Sequence, residues 1–276
     1  MDGYSRSRRG PQLVVGLIVA AVAIVGYFAS RSPNPVTGEV QSVALSPAEE
    51  VALGLHSAPQ MAAQHGGLDS DERAQQLVDA VGTRLLRDGL RKETPYQFDF
   101  HLLRDPQTVN AFALPGGQVF ITRALFDRLK TEGQLAGVLG HEIGHVIERH
   151  GAEHLAKAQL TQGLVGAVAV GSADPNDPRA SARNTAIAAA VGQLLNLRYG
   201  REDELECDEW GVELLGNAGY DPRALIEVMK VLAQASGGGG PPEFFSTHPN
   251  PDNRIGRIED AIRRRYPQGV PGNLTP

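Results

Sequence analysis

The sequence predicts an α+β protein that is mainly α-helical, with one small β-sheet and one apolar helix at the N-terminus. Beyond residue 46, apolar side chains recur mostly with a helical period. Residues 96–122 instead contain extended segments, one of which alternates apolar and polar side chains. The length of 276 residues suits one main domain, and no internal repeat of roughly 20 to 50 residues is visible.

The composition is that of an ordinary globular protein, with 41% hydrophobic and 21% charged residues and a net charge of -6. This charge provides no basic surface, so no nucleic-acid partner is expected. The single cysteine, Cys207, excludes an internal disulfide and therefore gives no information about the redox compartment.

The N-terminal segment is typical of a membrane anchor. Arginines precede an uncharged apolar run, residues 13–29, which would span about 25 Å as a helix. A cleaved signal peptide is the alternative, but cleavage after Ala29 or Ser30 would put the bulky Tyr27 or Phe28 at position -3. The arginines favour a cytoplasmic N-terminus, which places the following chain on the periplasmic or other extracytoplasmic side.

These features divide the chain into five predicted segments. They are a cytoplasmic tail (1–12), a transmembrane anchor or signal peptide (13–30), a polar tether (31–45), the folded domain (46–266) and a flexible C-terminus (267–276).

Two helices are expected to open the folded domain. Ser46 and Glu49 form a capping-box pattern that predicts a helix running toward residue 64. Asp69 or Ser70 should open a second amphipathic helix that closes near residue 89.

A small, antiparallel sheet should follow these helices. "YQFDFHLL" (96–103) predicts a strand, and two more extended pieces flank the turn at 115–117. After a histidine-bearing helix, further helices are predicted over 160–173, 184–197, 200–219, 223–235 and 252–267, with a mobile loop at 236–242.

The stretch "HEIGH" carries the clearest chemical signal. His141 and His145 lie four positions apart, so on a helix both imidazoles can reach one ion. In such sites zinc is held by two histidines and a third protein ligand, and the adjacent glutamate, here Glu142, takes a proton from a bound water. Glu142 projects into the apolar arc of the helix, where burying a carboxylate that has neither a partner nor a chemical role costs free energy.

Two further histidines follow this motif. If the helix continues, His150 lies about 180° from His141, so the two cannot share an ion. We interpret His150 as a core residue and His154 as a packed or surface one, and a second metal site is the less favoured alternative.

The acidic segment "EDELECDEW" offers a third ligand. Glu204 and Asp208 share one helical face, so Glu204 could bind zinc while Asp208 orients a ligating histidine. A solvated acidic face explains the same residues equally well. Cys207 could compete as a soft ligand, but a small buried thiol is the favoured interpretation.

Taken together, "HEIGHVIERH", "NAFALPGGQVFITRAL", "REDELECD" and "STHPNPDNR" resemble the gluzincin metallopeptidases of family forty-eight. That family includes the CAAX prenyl protease, HtpX and the periplasmic BepA-like enzymes. The resemblance extends over most of residues 34–260 and implies a zincin-type domain with an HExxH helix. Cys207 departs from the alanine common in the family, and the single predicted anchor fits the quality-control members better than the multi-span ones.

The resemblance implies a role for each matching residue. The zinc ligands would be His141, His145 and Glu204, with Glu142 as general base and Asp208 orienting a ligand. Asn110, Ala111 and Phe112, with Gly116 and Gly117, would belong to a substrate-binding segment whose strand edge pairs with an extended peptide. His248 and Arg254 would lie near the zinc, where either could stabilise the oxyanion, or His248 could occupy the open metal position.

The resulting prediction is a membrane-anchored endopeptidase with one Zn²⁺ per chain that hydrolyses unfolded or misassembled proteins in extracytoplasmic quality control. A non-catalytic, zinc-stabilised binding or chaperone-like factor at the membrane is the alternative.

Overall fold

The computed structural model describes residues 9–171, 199–235, 242–248 and 253–276. The chain divides into a smaller unit (1–33, 39–44 and 152–197) and a larger unit (34–38, 45–151 and 198–276). The helix predicted over 184–197 and most of the loop predicted at 236–242 lie outside the described residues.

The smaller unit contains helix α1 (Arg9–Ala29), a two-stranded antiparallel sheet of β1 (Arg31–Pro33) and β2 (Val40–Ser42), and most of helix α6 (His150–Gly171). The segment Pro11–Ala29 is long and apolar enough to cross a membrane, judged by length and composition. Within this unit α1 and α6 approach closely at Gly163, where an added Cβ would lie only 2.6 Å from the Cβ of Ala23. The predicted tether therefore contains a short hairpin, and α6 covers the predicted helix from residue 160 to 171.

Within its described residues the larger unit is mainly helical with one small sheet, which confirms the predicted fold class. Its elements are α2 (Pro47–Gln64), α3 (Glu72–Arg84) with a π-helical turn (Leu85–Gly89), β3 (Asp99–Leu103), β4 (Ala111–Leu114), β5 (Gln118–Thr122), α4 (Arg123–Phe126), α5 (Glu132–Ile147), α7 (Arg201–Ala218), α8 (Ala224–Ala235), α9 (Phe244–Thr247) and α10 (Arg254–Arg265).

Local capping explains where the first helices begin. Ser46 and Glu49 form the predicted capping box of α2. Helix α3 begins later than predicted, because Asp71 is its N-cap and accepts hydrogen bonds from the amides of Arg73 and Ala74. Asp69 instead accepts from the Asp71 amide at 2.8 Å, which forms a turn before the helix.

The sheet is mixed, and the prediction of an antiparallel sheet is wrong for one of its two pairings. Its order is β3-β5-β4, with β4 antiparallel and β3 parallel to β5. The tight turn after β4 returns β5 between the other two strands, so β5 runs in the same direction as β3. Alternation along a strand identifies the strand but does not specify the direction of a distant partner.

Helix α5 lies in the centre of the larger unit, where every residue from Gly133 to Ile147 is buried. Glycines on one face allow α7 to approach: a Cβ on Gly140 would lie 3.1 Å from Leu215, and one on Gly144 would lie 3.0 Å from the Cα of Cys207. This close packing brings the HEIGH residues of α5 beside the acidic residues of α7.

The chain breaks between α5 and α6, contrary to the continuous helix assumed for residues 141–154. Arg149 has a left-handed φ of 59°. The Asn34 side chain donates to the carbonyl of Ile147 at 2.8 Å, which satisfies a terminal backbone acceptor of α5. The Arg149 guanidinium donates to Glu50 Oε1 from Nε at 2.8 Å, and to the Leu45 carbonyl at 2.7 Å.

The C-terminal residues, predicted to be flexible, form backbone hydrogen bonds with the larger unit. The Thr275 amide donates to the Gly219 carbonyl, and the Thr275 carbonyl accepts from Asp221. The amide of Gly133 donates to the Pro276 carbonyl at 2.9 Å. The end of the chain is thereby held against the first turn of α5.

Candidate metal centre

Four buried side chains from α5, α7 and the segment after α9 converge on one point. The ligating atoms of His141, His145, Glu204 and His248 all lie within 4.8 Å of one another. The Nε2 atoms of His141 and His145 are 3.3 Å apart, and the His141 Nε2 is 3.4 Å from Glu204 Oε2. The structure thus brings Glu204 beside the two HEIGH histidines, although Glu204 follows them by at least 59 positions in the sequence.

These distances fit a tetrahedral cation. Two donors that each lie about 2.0–2.1 Å from such an ion are separated by about 3.3 Å. Two imidazoles and a carboxylate are also the donor types that zinc prefers. The spacing and the chemistry of the donors therefore agree.

The charges around the cluster also fit a divalent cation. Glu142, Glu204 and Asp208 are all buried, whereas Arg254 is the buried guanidinium that faces them. When all three carboxylates are ionised and the histidines are neutral, as metal binding requires, the carboxylates exceed this one cation by two negative charges. An uncompensated buried charge is strongly unfavourable, so a doubly positive ion would balance the site.

Asp208 orients one of the histidines. Its Oδ1 lies 3.0 Å from His141 Nδ1, which leaves the other ring nitrogen directed at the cluster. Arg254 donates to both oxygens of Asp208, at 2.7 and 2.8 Å, and its other terminal nitrogen lies 3.0 Å from Glu204 Oε2. The guanidinium therefore holds Asp208 by two hydrogen bonds and lies at ion-pair distance from Glu204. The contact of Arg254 with an oxyanion stays a prediction.

His248 lies inside the donor cluster. Its Nδ1 is 3.0 Å from Glu204 Oε1 and 3.2 Å from His145 Nε2. The ring stacks on Phe244 with a centroid separation of 4.4 Å, and its exposed fraction is 0%. The segment that ends in His248 therefore supplies a fourth buried donor to the cluster.

Glu142 occupies an unusual position for a carboxylate. Its side chain is 0% exposed, and neither oxygen has a hydrogen-bond partner among the described residues. The nearest ionisable contact is His248 Nε2, 3.7 Å from Glu142 Oε1. Burial raises the pKa of Glu142.

The neighbouring groups keep Glu204 and His145 in the forms that bind metals. Burial alone would raise the pKa of Glu204, but His248 and His141 hold it well below its usual range. Burial, together with His248 and His141, lowers the pKa of His145, so this imidazole stays neutral. A carboxylate and a neutral imidazole are the required ligand forms. Burial alone would lower the pKa of His141, but Asp208 and Glu204 raise it to about 9, so a metal must displace a proton from this ring.

Two residues at the site were missed or misread in the sequence. His150 is buried as predicted, but the helix break brings its Nδ1 within 3.0 Å of His145 Nδ1. Tyr199 stacks on His145 with a centroid separation of 4.0 Å. The aromatic at position 199 stands outside any recognisable motif, so its spacing to the histidines gave no signal.

The residues of the predicted substrate-binding segment lie in two places: at strand β4 and the position before it, and in the turn that follows β4. Strand β4 lies at one side of the sheet, and β5 is its strand partner among the described residues. Ala111 and Phe112 belong to β4, and Asn110 precedes it with a side-chain amide 3.4 Å from Glu243 Oε1.

The two glycines of that segment have a conformational explanation. Gly116 and Gly117 have φ values of 84° and 116°, which favour glycine. A Cβ on Gly116 would lie 2.3 Å from the Cα of Val51, and one on Gly117 would lie 2.7 Å from the carbonyl oxygen of Gln97. Both are buried in the turn, and the substrate contact expected of them stays a prediction.

A helix bearing HEIGH, packed against a second helix that supplies Glu204 and Asp208, defines a zincin-type metallopeptidase domain. The chain belongs to peptidase family M48, whose family model matches residues 72–262.

Curated relatives support the same assignment. The chain is 32% identical over 261 residues to the beta-barrel assembly-enhancing protease of Yersinia pestis, covering 92% of this chain and 52% of the relative. The Escherichia coli K12 protein of that name is 29% identical over 272 residues, covering 93% and 53%. The mitochondrial metalloendopeptidase OMA1 of Schizosaccharomyces pombe is 35% identical over 167 residues, covering 60% and 47%. The chain thus spans about half the length of these relatives.

Proposed function

We propose that this protein is a zinc-dependent endopeptidase in which Glu142 is the general base. The observation that carries the proposal is the position of Glu142, buried without a hydrogen-bond partner beside a cluster of metal-binding side chains. A structural metal site needs no such carboxylate, whereas a hydrolytic site needs a base next to the ion.

The ligands in this proposal are His141, His145 and Glu204, whose mutual distances fit a tetrahedral ion. A zinc ion bound there would polarise the scissile carbonyl and make a water molecule more acidic. Asp208 accepts a hydrogen bond from the Nδ1 of His141 and keeps its Nε2 directed at the site. Arg254 forms ion pairs with Asp208 and Glu204 and thereby positions both carboxylates.

Glu142 handles the proton during hydrolysis. Because burial raises its pKa above the usual value of a glutamate, the carboxylate can take a proton from water and then deliver it to the leaving amine. Its lack of competing hydrogen bonds leaves both oxygens available for this transfer.

The edge of β4 is the proposed binding site for an extended peptide. The Thr122 amide donates to the Asn110 carbonyl. Backbone groups of antiparallel strands alternate in direction, so those of Ala111 and Ala113 face away from β5. A substrate strand could pair with these groups, as in other peptide-binding sheets.

His248 has two candidate roles, and its position favours the second. An oxyanion-stabilising group should stand beside the donor cluster, but the Nδ1 of His248 lies within it, near Glu204 and His145. We therefore assign His248 to the fourth donor position in a resting state.

Replacing His248 with alanine is expected to increase cleavage of an unfolded test protein several-fold, because the fourth position would be open to water. Zinc content and initial rates should be compared with those of the wild type, and Thr247→Ala in the same segment is the matched control. A loss of activity with zinc retained would instead support the oxyanion role.

The proposed setting is the extracytoplasmic side of a membrane, with α1 as a single anchor and the N-terminus in the cytoplasm. The apolar character of α1 and the arginines before it support this orientation. Unfolded or misassembled proteins are the proposed substrates, in line with relatives that are named for assembly enhancement.

The test of the proposed function is metal removal from the full chain in detergent. A chelator should abolish hydrolysis of an unfolded protein while the circular dichroism of the helices persists, and stoichiometric zinc should restore the rate. Collapse of the helical signal on chelation, with no hydrolysis before it, would favour the zinc-stabilised binding factor.

A further inference from the structure

The two histidines of the HEIGH motif have different partners on their outward-facing nitrogens. His141 is supported by the carboxylate of Asp208 at 3.0 Å. The corresponding nitrogen of His145, Nδ1, lies 3.0 Å from the Nδ1 of His150. His150 is 2% exposed and is the first residue of α6, immediately after the left-handed Arg149.

The position of His145 Nε2 determines the proton arrangement between these two rings. This nitrogen points into the donor cluster, 3.3 Å from His141 Nε2, so it must offer a lone pair to a metal. A neutral imidazole that has a lone pair on Nε2 carries its proton on Nδ1. That proton needs an acceptor, and His150 Nδ1 lies at hydrogen-bond distance.

The second ring is fixed in turn. Because His150 Nδ1 accepts from His145, its own proton resides on Nε2. That nitrogen lies 3.2 Å from a carboxylate oxygen of Glu206, which can only accept when ionised. The opposite tautomer of His150 would place two N–H groups face to face at 3.0 Å and an unprotonated nitrogen against a carboxylate.

We propose that His150 is a positioning residue that fixes the tautomer and ring orientation of the zinc ligand His145. His150 accepts the Nδ1–H of His145, as the Asp208 carboxylate accepts that of His141, and His150 donates its own Nε2–H to Glu206. The inference rests on the proposed zinc site. Residues that hydrogen-bond to metal-binding histidines typically contribute a factor of about 10–100 in metal affinity.

Cys207 is the competing explanation for the same cluster. Its Sγ lies 3.5 Å from His150 Nδ1, so His145, His150 and Cys207 could together hold a second ion. Such an ion would need lone pairs on both Nδ1 atoms, which would remove the proton that His145 shares with His150. Burial raises the pKa of Cys207 well above its usual value, which disfavours the thiolate that a second ion would need.

Three substitutions at position 150 separate hydrogen bonding from packing. Asparagine places its amide oxygen at the same number of bonds from Cβ as Nδ1, so it keeps the acceptor for His145. Glutamine extends its amide one bond further and can reach Glu206 without supplying that acceptor. Leucine fills a similar volume and offers neither group.

The measurement is the zinc dissociation constant of the full chain in detergent, obtained by competition with a chelator of known affinity. We expect His150→Asn to bind zinc within a few-fold of the wild type. His150→Gln and His150→Leu should bind about 10- to 100-fold more weakly. The visible spectrum of the Co²⁺-substituted proteins should change in the same two variants only.

The thermal midpoint of each metal-free protein shows whether a variant has lost zinc by unfolding. If the metal-free His150→Leu protein does not fold, the comparison of the asparagine and glutamine variants decides the question. Equal zinc affinity of these two would overturn the proposed role of His150. Cys207→Ala should bind one zinc with wild-type affinity, and loss of a second equivalent in that variant would also overturn it.

Failure of the proposed function would look different from failure of this inference. If the wild type itself binds no zinc, the proposed metal site is wrong. If the wild type binds one zinc and all variants bind it equally well, only the role of His150 is wrong.

Discussion

Replacing Glu142 with glutamine is expected to reduce peptide-bond hydrolysis by about 10²- to 10⁴-fold, the usual contribution of a general base. The amide has nearly the same shape but cannot accept a proton from water. Because Glu142 is not among the proposed ligands, the variant should retain about one zinc per chain. Glutamine also removes a buried charge, so the fold should be preserved.

The measurement is the initial rate on an unfolded protein for the full chain in detergent, with zinc quantified in the same samples. Glu209→Gln, which changes an exposed carboxylate on α7, is the matched control and should leave the rate unchanged. A Glu142→Gln protein that contains zinc and cleaves at the wild-type rate would refute the proposed role of Glu142.

Replacing Arg149 with methionine is expected to lower the free energy of unfolding by about 3–5 kcal/mol. Arg149 and Glu50 are 2% and 1% exposed, and the Arg149 Nη2 lies 2.5 Å from Glu50 Oε1. Methionine matches the aliphatic stem but leaves the Glu50 carboxylate buried without a counter-charge. It also removes the hydrogen bond to the Leu45 carbonyl.

Chemical denaturation followed by tryptophan fluorescence provides a local measurement, since Trp210 is the only tryptophan and its Nε1 donates to Glu148. Glu50→Gln should also destabilise the protein, because it leaves the guanidinium unpaired. The double variant should cost less than the two single changes added together, since neither charge is then left alone. Additive losses of unfolding free energy would show that breaking the ion pair does not cause the destabilisation.

Features that depend on neighbouring residues could be predicted from the sequence. The capping box of Ser46 and Glu49 and the glycine that ends α7 at position 219 are examples. The HEIGH motif was equally visible, because a helical period alone brings both histidines to one face. These predictions needed only the conformation of one helix.

Features that depend on distant contacts could not be derived in this way. Glu204 was one of several acids in "EDELECDEW", and the family resemblance singled it out before the structure brought it to the histidines. The break at Arg149 is stabilised by Asn34 and Glu50, which lie about a hundred positions earlier. Without those partners the sequence contains no strong helix breaker between residues 141 and 150, so His150 was assigned to the wrong side of the helix.

The burial of the donor cluster has a kinetic consequence. His248 and Glu142 are both 0% exposed, so a peptide can reach the base only after the side chains that cover it move away. The observed turnover is then the chemical rate multiplied by the fraction of time that the site is open. A fast chemical step would then be compatible with slow overall cleavage. Polypeptides that dissociate before the site opens would not be cleaved. Residence time at the site, rather than residue preference around the scissile bond, would then decide which proteins are cut.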